Sequence, residues 1–232
     1  RLCDEKNLST LIEAYELVRR SGYAPHLVFA GSGPDQQLVE ALAAKYKEVH
    51  FLGYLHGREE VARLLASVDV VAALSPTETF GLSAAEAMAA GAALIGSDEL
   101  SVGEMLRDAR CGIGVPDRDA MSIANAWMEL LKPGRARLLG ARGAAYAVRV
   151  FSWQRTFEKI TEVYRDIAGP VQRPGHTAWT HAAHSGAVRK FGTSIVAMID
   201  DSRPTAAIHV RPTVPLGPVT RSGTMPALHK RA

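Results

Sequence analysis

Apolar residues recur with two alternating periods along the first part of the chain, one typical of helices and one typical of short buried strands. Between Asn7 and Arg20 they recur every three or four positions, and Ser21-Gly22 follows as a stop signal. His26 to Ala30 is a short apolar run that ends at the turn Gly31-Ser32-Gly33-Pro34, and a second helical pattern runs to about Tyr46. Strand, turn and helix in this order form one half of a βαβ unit.

The same alternation continues through Val115 and predicts a parallel sheet. We expect further strands at Val49–Leu52, Asp69–Leu74, Ala92–Gly96 and Gly112–Val115, with helices at Arg58–Ser67, Ser83–Ala90 and Val102–Asp108. Short apolar strands joined to helices by brief turns indicate a doubly wound, Rossmann-like α/β domain whose sheet is covered on both faces. Ligands of such sheets bind beyond the carboxyl ends of the strands, so the loops opening at Gly31, Gly53, Ser75 and Ser97 are expected to carry the chemistry.

Helical patterns alone follow the last of these strands, and the composition then changes abruptly. We expect helices at Ala120–Leu131, Arg135–Val150 and Ser152–Ile167, with Ser152 as an N-cap. From Gly169 onward the chain holds seven of its 12 prolines and five of its eight histidines, and only Ser194–Ile199 resembles a strand. We therefore predict a folded domain of residues 1–168 and a Pro-rich, basic tail of residues 169–232 that is mostly disordered.

Charge and composition narrow the class of protein. Residues 1–169 hold 19 Lys and Arg against 22 Asp and Glu, so the overall charge of +3 comes from the tail. The folded part has no basic stripe with interleaved aromatics, which argues against nucleic-acid binding. The spacing of Cys3 and Cys111 suggests neither a disulfide framework nor a zinc site, and no apolar run reaches the ~20 residues that cross a bilayer. With no export signal at its start, the chain is expected to be cytoplasmic.

Two segments carry candidate chemistry. In the first, Arg1 and Lys6 lie five positions apart in a loop that feeds a helix, where both cations can converge on one anion such as a diphosphate. In the second, Gly81 lets the backbone approach a ligand, and the helix that follows directs its free N–H groups toward that ligand. Glu86 lies about one turn inside this helix, where its carboxylate can accept hydrogen bonds from ribose hydroxyls, and Glu78 can reach sugar hydroxyls from the loop. Spacing alone leaves open a helix turn with acidic residues and no ligand.

With these motifs the chain resembles the family-4 glycosyltransferases, whose GT-B fold consists of two Rossmann-like domains facing a cleft. The resemblance runs from Arg1 to about Ile167 and is most specific in the E-x7-E motif from Glu78 to Glu86. The Arg1 to Lys6 segment is similar to the family's diphosphate-binding R-x4-K segment. Val28–Pro34 is similar to its strand and G-x-G-P turn, and Phe51–Leu55 to the loop beside its nucleobase. The sequence Pro76–Leu82 is similar to the corresponding segment of members that use GDP-mannose or UDP-hexoses on lipid or polyprenyl-linked acceptors.

The resemblance implies the donor-binding half of a retaining hexosyltransferase, with mannose as the first expected sugar and a glycan or lipid-linked acceptor. It implies that Arg1 and Lys6 neutralise the leaving nucleoside diphosphate, that Glu78 touches the donor sugar and that Glu86 holds the ribose. It further implies backbone contacts to the phosphates and sugar at Phe80, Gly81 and Leu82, and to the base near Tyr54 and Leu55. The nucleotide sugar, GDP-mannose or a UDP-hexose, is then the substrate, and neither a cofactor nor a metal is expected.

The chain also departs from the family pattern. Members usually carry a Gly-Gly pair in the loop after the strand that follows E-x7-E, whereas Leu100-Ser101 stands here, which puts donor placement in question. The acceptor domain that should precede Arg1 is expected to be missing from this chain. The last helix resembles one that commonly crosses back to that domain, so we expect its apolar residues Trp153, Phe157, Ile160 and Tyr164 to be partly exposed.

Other functions stay open at this point. A GT-B sugar-nucleotide epimerase or a non-catalytic nucleotide-sugar-binding subunit would share the sheet. A dinucleotide-dependent oxidoreductase is suggested by Gly31-Ser32-Gly33, although Gln36 occupies the third glycine position of its fingerprint. His26, His50 and His56 are expected on different loops as ordinary surface or edge histidines. The basic tail can contact anionic lipid headgroups, so peripheral association with the inner face of a membrane is an alternative to a solvated tail.

Overall fold

The computed structural model describes residues 1–168 and the backbone of residues 195–199. Its strands are β1 (His26–Ala30), β2 (Val49–Phe51), β3 (Val70–Ala73), β4 (Ala93–Ser97), β5 (Gly112–Val115) and β6 (Ile195–Ile199). Its helices are the 3-10 helix η1 (Asp4–Lys6) and the α-helices α1 (Leu8–Arg20), α2 (Gln36–Lys45), α3 (Arg58–Ser67), α4 (Leu82–Ala89), α5 (Leu100–Ala109), α6 (Ala120–Leu130), α7 (Arg135–Val150) and α8 (Trp153–Ala168). The predicted α/β fold class is confirmed, and the predicted bounds of most elements are correct to within one or two residues.

The six strands form one sheet in the order β2-β1-β6-β3-β4-β5. The pairs β1–β2, β3–β4 and β4–β5 are parallel, as the alternation of strands and helices predicted. This order corresponds to the doubly wound order 3-2-1-4-5-6. Strand β6 lies where strand 1 lies in such a sheet. The carboxyl ends of the parallel strands therefore meet at one edge, beside the central position.

Strand β6 confirms the strand expected at Ser194–Ile199 and corrects the expectation of a wholly parallel sheet. It runs antiparallel to both neighbours, so the sheet is not wholly parallel. It also belongs to the segment that was assigned to the tail, so one part of residues 169–232 pairs within the domain sheet. Without β6, the facing sides of β1 and β3 would leave backbone N–H and C=O groups unpaired, and a strand of either direction satisfies them. The remaining tail residues, for which disorder was predicted, lie outside the described residues.

Alternate side chains of the strands point to two separate cores. In β1, Leu27 and Phe29 pack on one face of the sheet with α1, α2 and α6, around the buried Tyr15 and Trp127. The other side chains of the same strand join Met88 and the apolar residues of α3, α4 and α5 on the opposite face. This two-residue period explains why the strands read as near-continuous apolar runs, since both faces are covered by helices.

Helix α8 keeps an apolar face exposed. The predicted N-cap at its start is supported by the Arg155 backbone N–H, which donates to the Ser152 hydroxyl at 3.3 Å. Trp153 is 75% exposed, Phe157 61% and Tyr164 67%, which confirms the expectation for this helix. Among the described residues, no helix combines the length and apolar character that crossing a membrane requires.

His26 and His50 lie side by side, so the expectation that these histidines occupy separate loops is wrong. Their rings stack with a centroid distance of 5.2 Å, and His26 Nδ1 lies 2.9 Å from His50 Nε2. The reason is the register of β1 and β2, in which Val28 pairs with His50, so His26 is a diagonal neighbour on the same face. Cys3 and Cys111 are both free and buried.

The histidine pair makes stability depend on pH. Burial lowers the pKa of His50 below its usual value, and His26 adds to this effect while Glu48 opposes it. The unfolded chain therefore binds a proton at this position more readily than the folded chain. The resulting stability is present above the unfolded pKa of about 6.5 and is lost as the pH falls toward the lower folded pKa. We expect His50→Thr to reduce the loss of unfolding free energy between pH 7 and pH 5, as measured by urea titration.

The matched control for this experiment is His56→Thr, which changes an exposed histidine outside the pair. An equal reduction of the pH dependence in both variants would contradict the assignment to the stacked pair.

The exposed face of α8 is expected to drive self-association of this chain. A contiguous apolar helix face in water gains free energy when a second apolar surface covers it. Light scattering over a wide concentration range should show a mean mass that rises with concentration, and Phe157→Glu should weaken this rise. Gln37→Glu, which adds the same charge at an exposed polar position of α2, should leave it unchanged. A concentration-independent monomer in the unmodified chain would contradict this expectation.

Candidate functional site

A small cavity of about 20 Å³ lies at the carboxyl edge of the sheet, between η1 and the end of β3. It is lined by Arg1 and Lys6, the residues expected to neutralise the diphosphate, and by Glu78, which is expected to contact the donor sugar. The apolar part of the lining comes from Leu2, Leu8, Leu11, Ala72, Ala73, Leu74 and Val102, and the polar part also includes Ser75 and Ser83. The structure therefore brings the two candidate segments to one place, at the edge where doubly wound sheets bind ligands.

Lys6 and Glu78 form an ion pair in this cavity. The Lys6 Nζ atom lies 2.7 Å from Glu78 Oε2, and both side chains are about 30% exposed. A charge-assisted hydrogen bond of this length holds both side chains in one orientation. The pair therefore places a cation and a carboxylate, both still open to solvent, at the mouth of the cavity.

The loop that carries Lys6 is fixed by the next residue, Asn7. This asparagine is buried and adopts a left-handed backbone conformation with φ of 53°, which asparagine tolerates better than most residues. Its Nδ2 atom donates to the Leu74 carbonyl at 2.8 Å and to Asp117 Oδ1 at 2.6 Å. A second link joins Arg118 to Asp4 at 2.9 Å. These anchors were not predicted, since nothing in the sequence around Asn7 indicates a partner 110 positions away.

The loop between β3 and α4 has the geometry expected of an anion site. Gly81, with φ of 74°, stands at the N-cap of α4, and a glycine has no side chain with which to cap the first backbone N–H groups of this helix. Phe80 and Leu82 are 53% and 56% exposed and flank the glycine. The Phe80 ring packs edge-on against the Phe151 ring, with the two ring centroids 5.9 Å apart. Uncapped N–H groups and the helix dipole favour a negative group at this end.

Glu86 is a carboxylate with an unsatisfied oxygen. It lies in α4, and its buried Oε2 atom has no hydrogen-bond partner among the residues that the structure describes. Burial raises the pKa of Glu86 above its ordinary value, while the charge of Arg58 opposes this shift. A buried carboxylate oxygen without a donor is costly in free energy. Such an atom is well suited to accept a hydrogen bond from a bound molecule.

The remaining predicted residues lie outside the small cavity. Tyr54 and Leu55 belong to the loop after β2, with Tyr54 exposed and packed edge-on against His56 at 5.1 Å. Leu55 is partly buried against the core on the side of α4. Phe80, Gly81, Leu82 and Glu86 continue the chain from Glu78 into α4 without lining the cavity. The structure thus gathers Arg1, Lys6 and Glu78 in one cavity and places the other six on adjoining loops and on α4.

Helix α5 begins where the Gly-Gly pair was missing from the sequence. Its first residue, Leu100, has φ of 44° and a side chain that is 55% exposed. The next residue, Ser101, donates from its hydroxyl to the backbone carbonyl of Glu78 at 2.7 Å. This contact, like those of Asn7, escaped the sequence analysis. In the described part of the chain, no group of three or more His, Cys, Asp or Glu side chains is arranged to hold a metal ion.

The fold and the site define a doubly wound α/β domain with a cavity beyond the carboxyl ends of its strands. The family model described as Glycosyl transferases group 1 matches residues 1–141, and the chain belongs to this family. It is therefore a glycosyltransferase-family domain, in agreement with the resemblance found in the sequence.

Two curated relatives support the same assignment. The chain is 30% identical over 164 residues to the phosphatidyl-myo-inositol mannosyltransferase of Mycobacterium leprae, which covers 70% of this chain and 44% of the relative. It is 34% identical over 158 residues to the GDP-mannose-dependent alpha-(1-6)-phosphatidylinositol dimannoside mannosyltransferase of Mycobacterium tuberculosis, with 67% and 39% covered. The chain thus spans less than half the length of these relatives.

Solved structures show the same fold. Anabaena HepE in complex with UDP has a TM-score of 0.59 at 22% identity, over 72% of this chain and 47% of that chain. The C-terminal domain of a glycosyl transferase group 1 family protein from Francisella tularensis has a TM-score of 0.55 at 22% identity. It covers 66% of this chain and 84% of that domain. These likenesses concern the fold, which in both cases matches about two thirds or more of the chain.

The left-handed conformation of Leu100 predicts that glycine is better accommodated at this position. A non-glycine residue in this region costs roughly 1–2 kcal/mol, while the half-exposed side chain contributes little burial. We expect Leu100→Gly to raise the free energy of unfolding by about 1 kcal/mol in urea titration. The control is Leu138→Gly, at an exposed leucine within α7, which should lower that free energy by about 1 kcal/mol. Equal destabilisation by both substitutions would argue against strain at Leu100.

Proposed function

We propose that this chain is the donor-binding half of a retaining glycosyltransferase that moves a hexose from a nucleotide diphosphate sugar to a glycan or lipid-linked acceptor. Mannose carried by GDP is the first choice of donor. In this proposal the nucleotide sugar is a substrate, and the reaction uses neither a cofactor nor a metal. Acceptor binding belongs to a separate N-terminal acceptor domain, and the coverage of the curated relatives, 44% and 39%, supports this division.

The observation that carries the proposal is the unpartnered oxygen of Glu86. A ribose offers two vicinal hydroxyls, either of which can donate to Oε2 and satisfy the buried acceptor. Glu86 is eight residues beyond Glu78, whose carboxylate lies at the mouth of the cavity beside Lys6. A molecule that carries both a ribose and a second sugar can use both carboxylates. Nucleotide sugars have this composition.

Positive charge around the same site suits a diphosphate leaving group. As the bond to the donor sugar breaks, negative charge develops on the departing diphosphate, and fixed positive groups stabilise that charge. Lys6 and Arg1 line the cavity, and the uncapped N-terminus of α4 adds its N–H groups. In this role Lys6 exchanges its bond to Glu78 for one to the phosphate. Glu78 is then released to contact the hydroxyls of the donor sugar.

The base is assigned to the loop after β2. Its backbone at Tyr54 and Leu55 presents N–H and C=O groups beside the half-exposed Tyr54 ring, a surface that a planar base can cover. Phe80, Gly81 and Leu82 supply backbone contacts to the phosphates and the sugar. These assignments agree with the order of a nucleotide sugar, in which the diphosphate lies between the nucleoside and the hexose.

The names of the relatives guide the choice of sugar and acceptor. Two are mannosyltransferases whose names include phosphatidylinositol, and one of these names specifies GDP-mannose. Solved neighbours include complexes with UDP-glucose and with UDP and GlcNAc, which support nucleotide sugars more generally. A phosphatidylinositol-type acceptor would place the whole protein at the cytoplasmic surface of a membrane, as a peripheral protein.

Calorimetric titration of the chain with GDP-mannose, UDP-glucose and NAD tests the proposal. We expect one nucleotide sugar to bind and NAD not to bind. Lys6→Ala removes a charge-assisted bond to the diphosphate, so its affinity should fall by about tenfold to a hundredfold. Glu86→Gln replaces one acceptor oxygen by a donor amide and should weaken binding by about tenfold.

Two exposed residues outside the site provide matched controls. Lys47→Ala and Glu13→Gln repeat the same chemical changes on other surfaces and should leave the affinity for the donor unchanged. Binding of NAD alone would favour a dinucleotide-dependent enzyme instead. Binding of a nucleotide sugar that is unaffected by either site substitution would remove the role assigned to this cavity.

A further inference from the structure

The first turn of α5 contacts the loop that carries Glu78. The hydroxyl of Ser101 donates to the Glu78 backbone carbonyl at 2.7 Å, and this contact joins two residues 23 positions apart. The carboxylate of the same glutamate forms an ion pair with Lys6, with 2.7 Å between Glu78 Oε2 and Lys6 Nζ. Glu78 is therefore fixed at two points, one on its backbone and one on its carboxylate.

The hydroxyl is presented by a rigid segment. The backbone N–H of Glu99 donates to the Ser97 hydroxyl at 3.2 Å, directly after β4. Gly103 packs so closely on the Asp98 carbonyl that a Cβ atom there would lie only 2.1 Å from the oxygen. Together with the left-handed Leu100, these contacts define where the first turn of α5 stands.

The same turn also packs on the end of the Glu78 loop. A Cβ atom at Gly81 would lie 3.4 Å from the Ser101 hydroxyl and 3.2 Å from Val102 Cγ2. Helix α5 therefore packs against Gly81 of this loop and donates a hydrogen bond to the backbone carbonyl of Glu78. Rotation of the peptide after Glu78 would break that bond.

We propose that Ser101 is a positioning residue that sets the reach of the Glu78 carboxylate toward the donor sugar. This inference rests on the proposed function, because it assigns the sugar end of the donor to Glu78. Glycine at position 101 has no hydroxyl and leaves the loop carbonyl without this donor. Leu100-Ser101 stands where the family pattern has Gly-Gly. In this proposal its serine fixes the position of Glu78.

The test separates the sugar from the nucleotide. Affinities of the full chain are measured by calorimetry for the nucleotide sugar that binds, GDP-mannose or UDP-glucose, and for the matching nucleoside diphosphate. Ser101→Ala should weaken the nucleotide sugar by about threefold to tenfold while the nucleoside diphosphate changes by less than about twofold. Ser101→Thr, which keeps the hydroxyl, should retain the affinity of the unmodified chain.

Two further variants exclude a general effect on folding. Ser67→Ala removes a similar bond, from a serine hydroxyl to the Leu64 carbonyl at 2.8 Å, and should change neither affinity. In a chain that already carries Glu78→Gln, Ser101→Ala should add no further loss for the nucleotide sugar, as expected for two residues that act through one another. A full additional loss in that background would overturn the proposal.

Hydrogen exchange of the loop provides a readout that requires no ligand. Ser101→Ala should accelerate amide exchange in residues 79–82, and Ser101→Thr should not. If the unmodified chain binds a donor but Ser101→Ala alters neither the sugar affinity nor the exchange, the inference on Ser101 fails alone. If the unmodified chain binds no nucleotide sugar, the proposed function fails and the positioning role fails with it.

Discussion

The two hydrogen bonds donated by the buried amide of Asn7 are the interaction on which the arrangement of the site depends. They tie the loop after η1 to the end of β3 through Leu74 and to the segment after β5 through Asp117. Loops from separate parts of the chain are thereby held at one edge of the sheet. Because Asn7 directly follows Lys6, its backbone conformation also sets the direction in which the lysine leaves the loop, and so its meeting with Glu78.

The two glutamates of the site differ in a way that assigns them different work. Glu78 has a partner and remains partly open to water, so its charge is already balanced before any ligand arrives. Burial raises the pKa of Glu86, and one of its oxygens is buried with no partner in the described part of the chain. An exposed, paired carboxylate can exchange partners at little cost, whereas an enclosed, unpaired one gains most from a single new donor. In the proposed function, the same residue type thus serves the two ends of one elongated ligand.

Local patterns were sufficient for the elements and for the segments that carry the chemistry. Periodicity located the five parallel strands, and the glycine and glutamates around Gly81 marked the loop before α4. Contacts between distant residues were beyond such patterns. The place of β6 in the sheet depends on gaps left by other strands, the pairing of His26 with His50 depends on register, and the partners of Asn7 and Ser101 lie 67, 110 and 23 positions away. Each of these contacts is fixed by tertiary packing, for which one sequence has no local signal.

The position of β6 has a consequence for how this chain acquires its fold. In the sheet, His26 pairs with Ile199 and Ala30 with Ile195, so the two strands are more than 160 residues apart in sequence. Closing so long a loop is slow, and during synthesis β1 and β3 are made well before the strand that lies between them. Until that strand arrives, both inner edges present open backbone groups to any extended segment nearby. We therefore expect the sheet to assemble from its flanks inward, with its centre the last part to close.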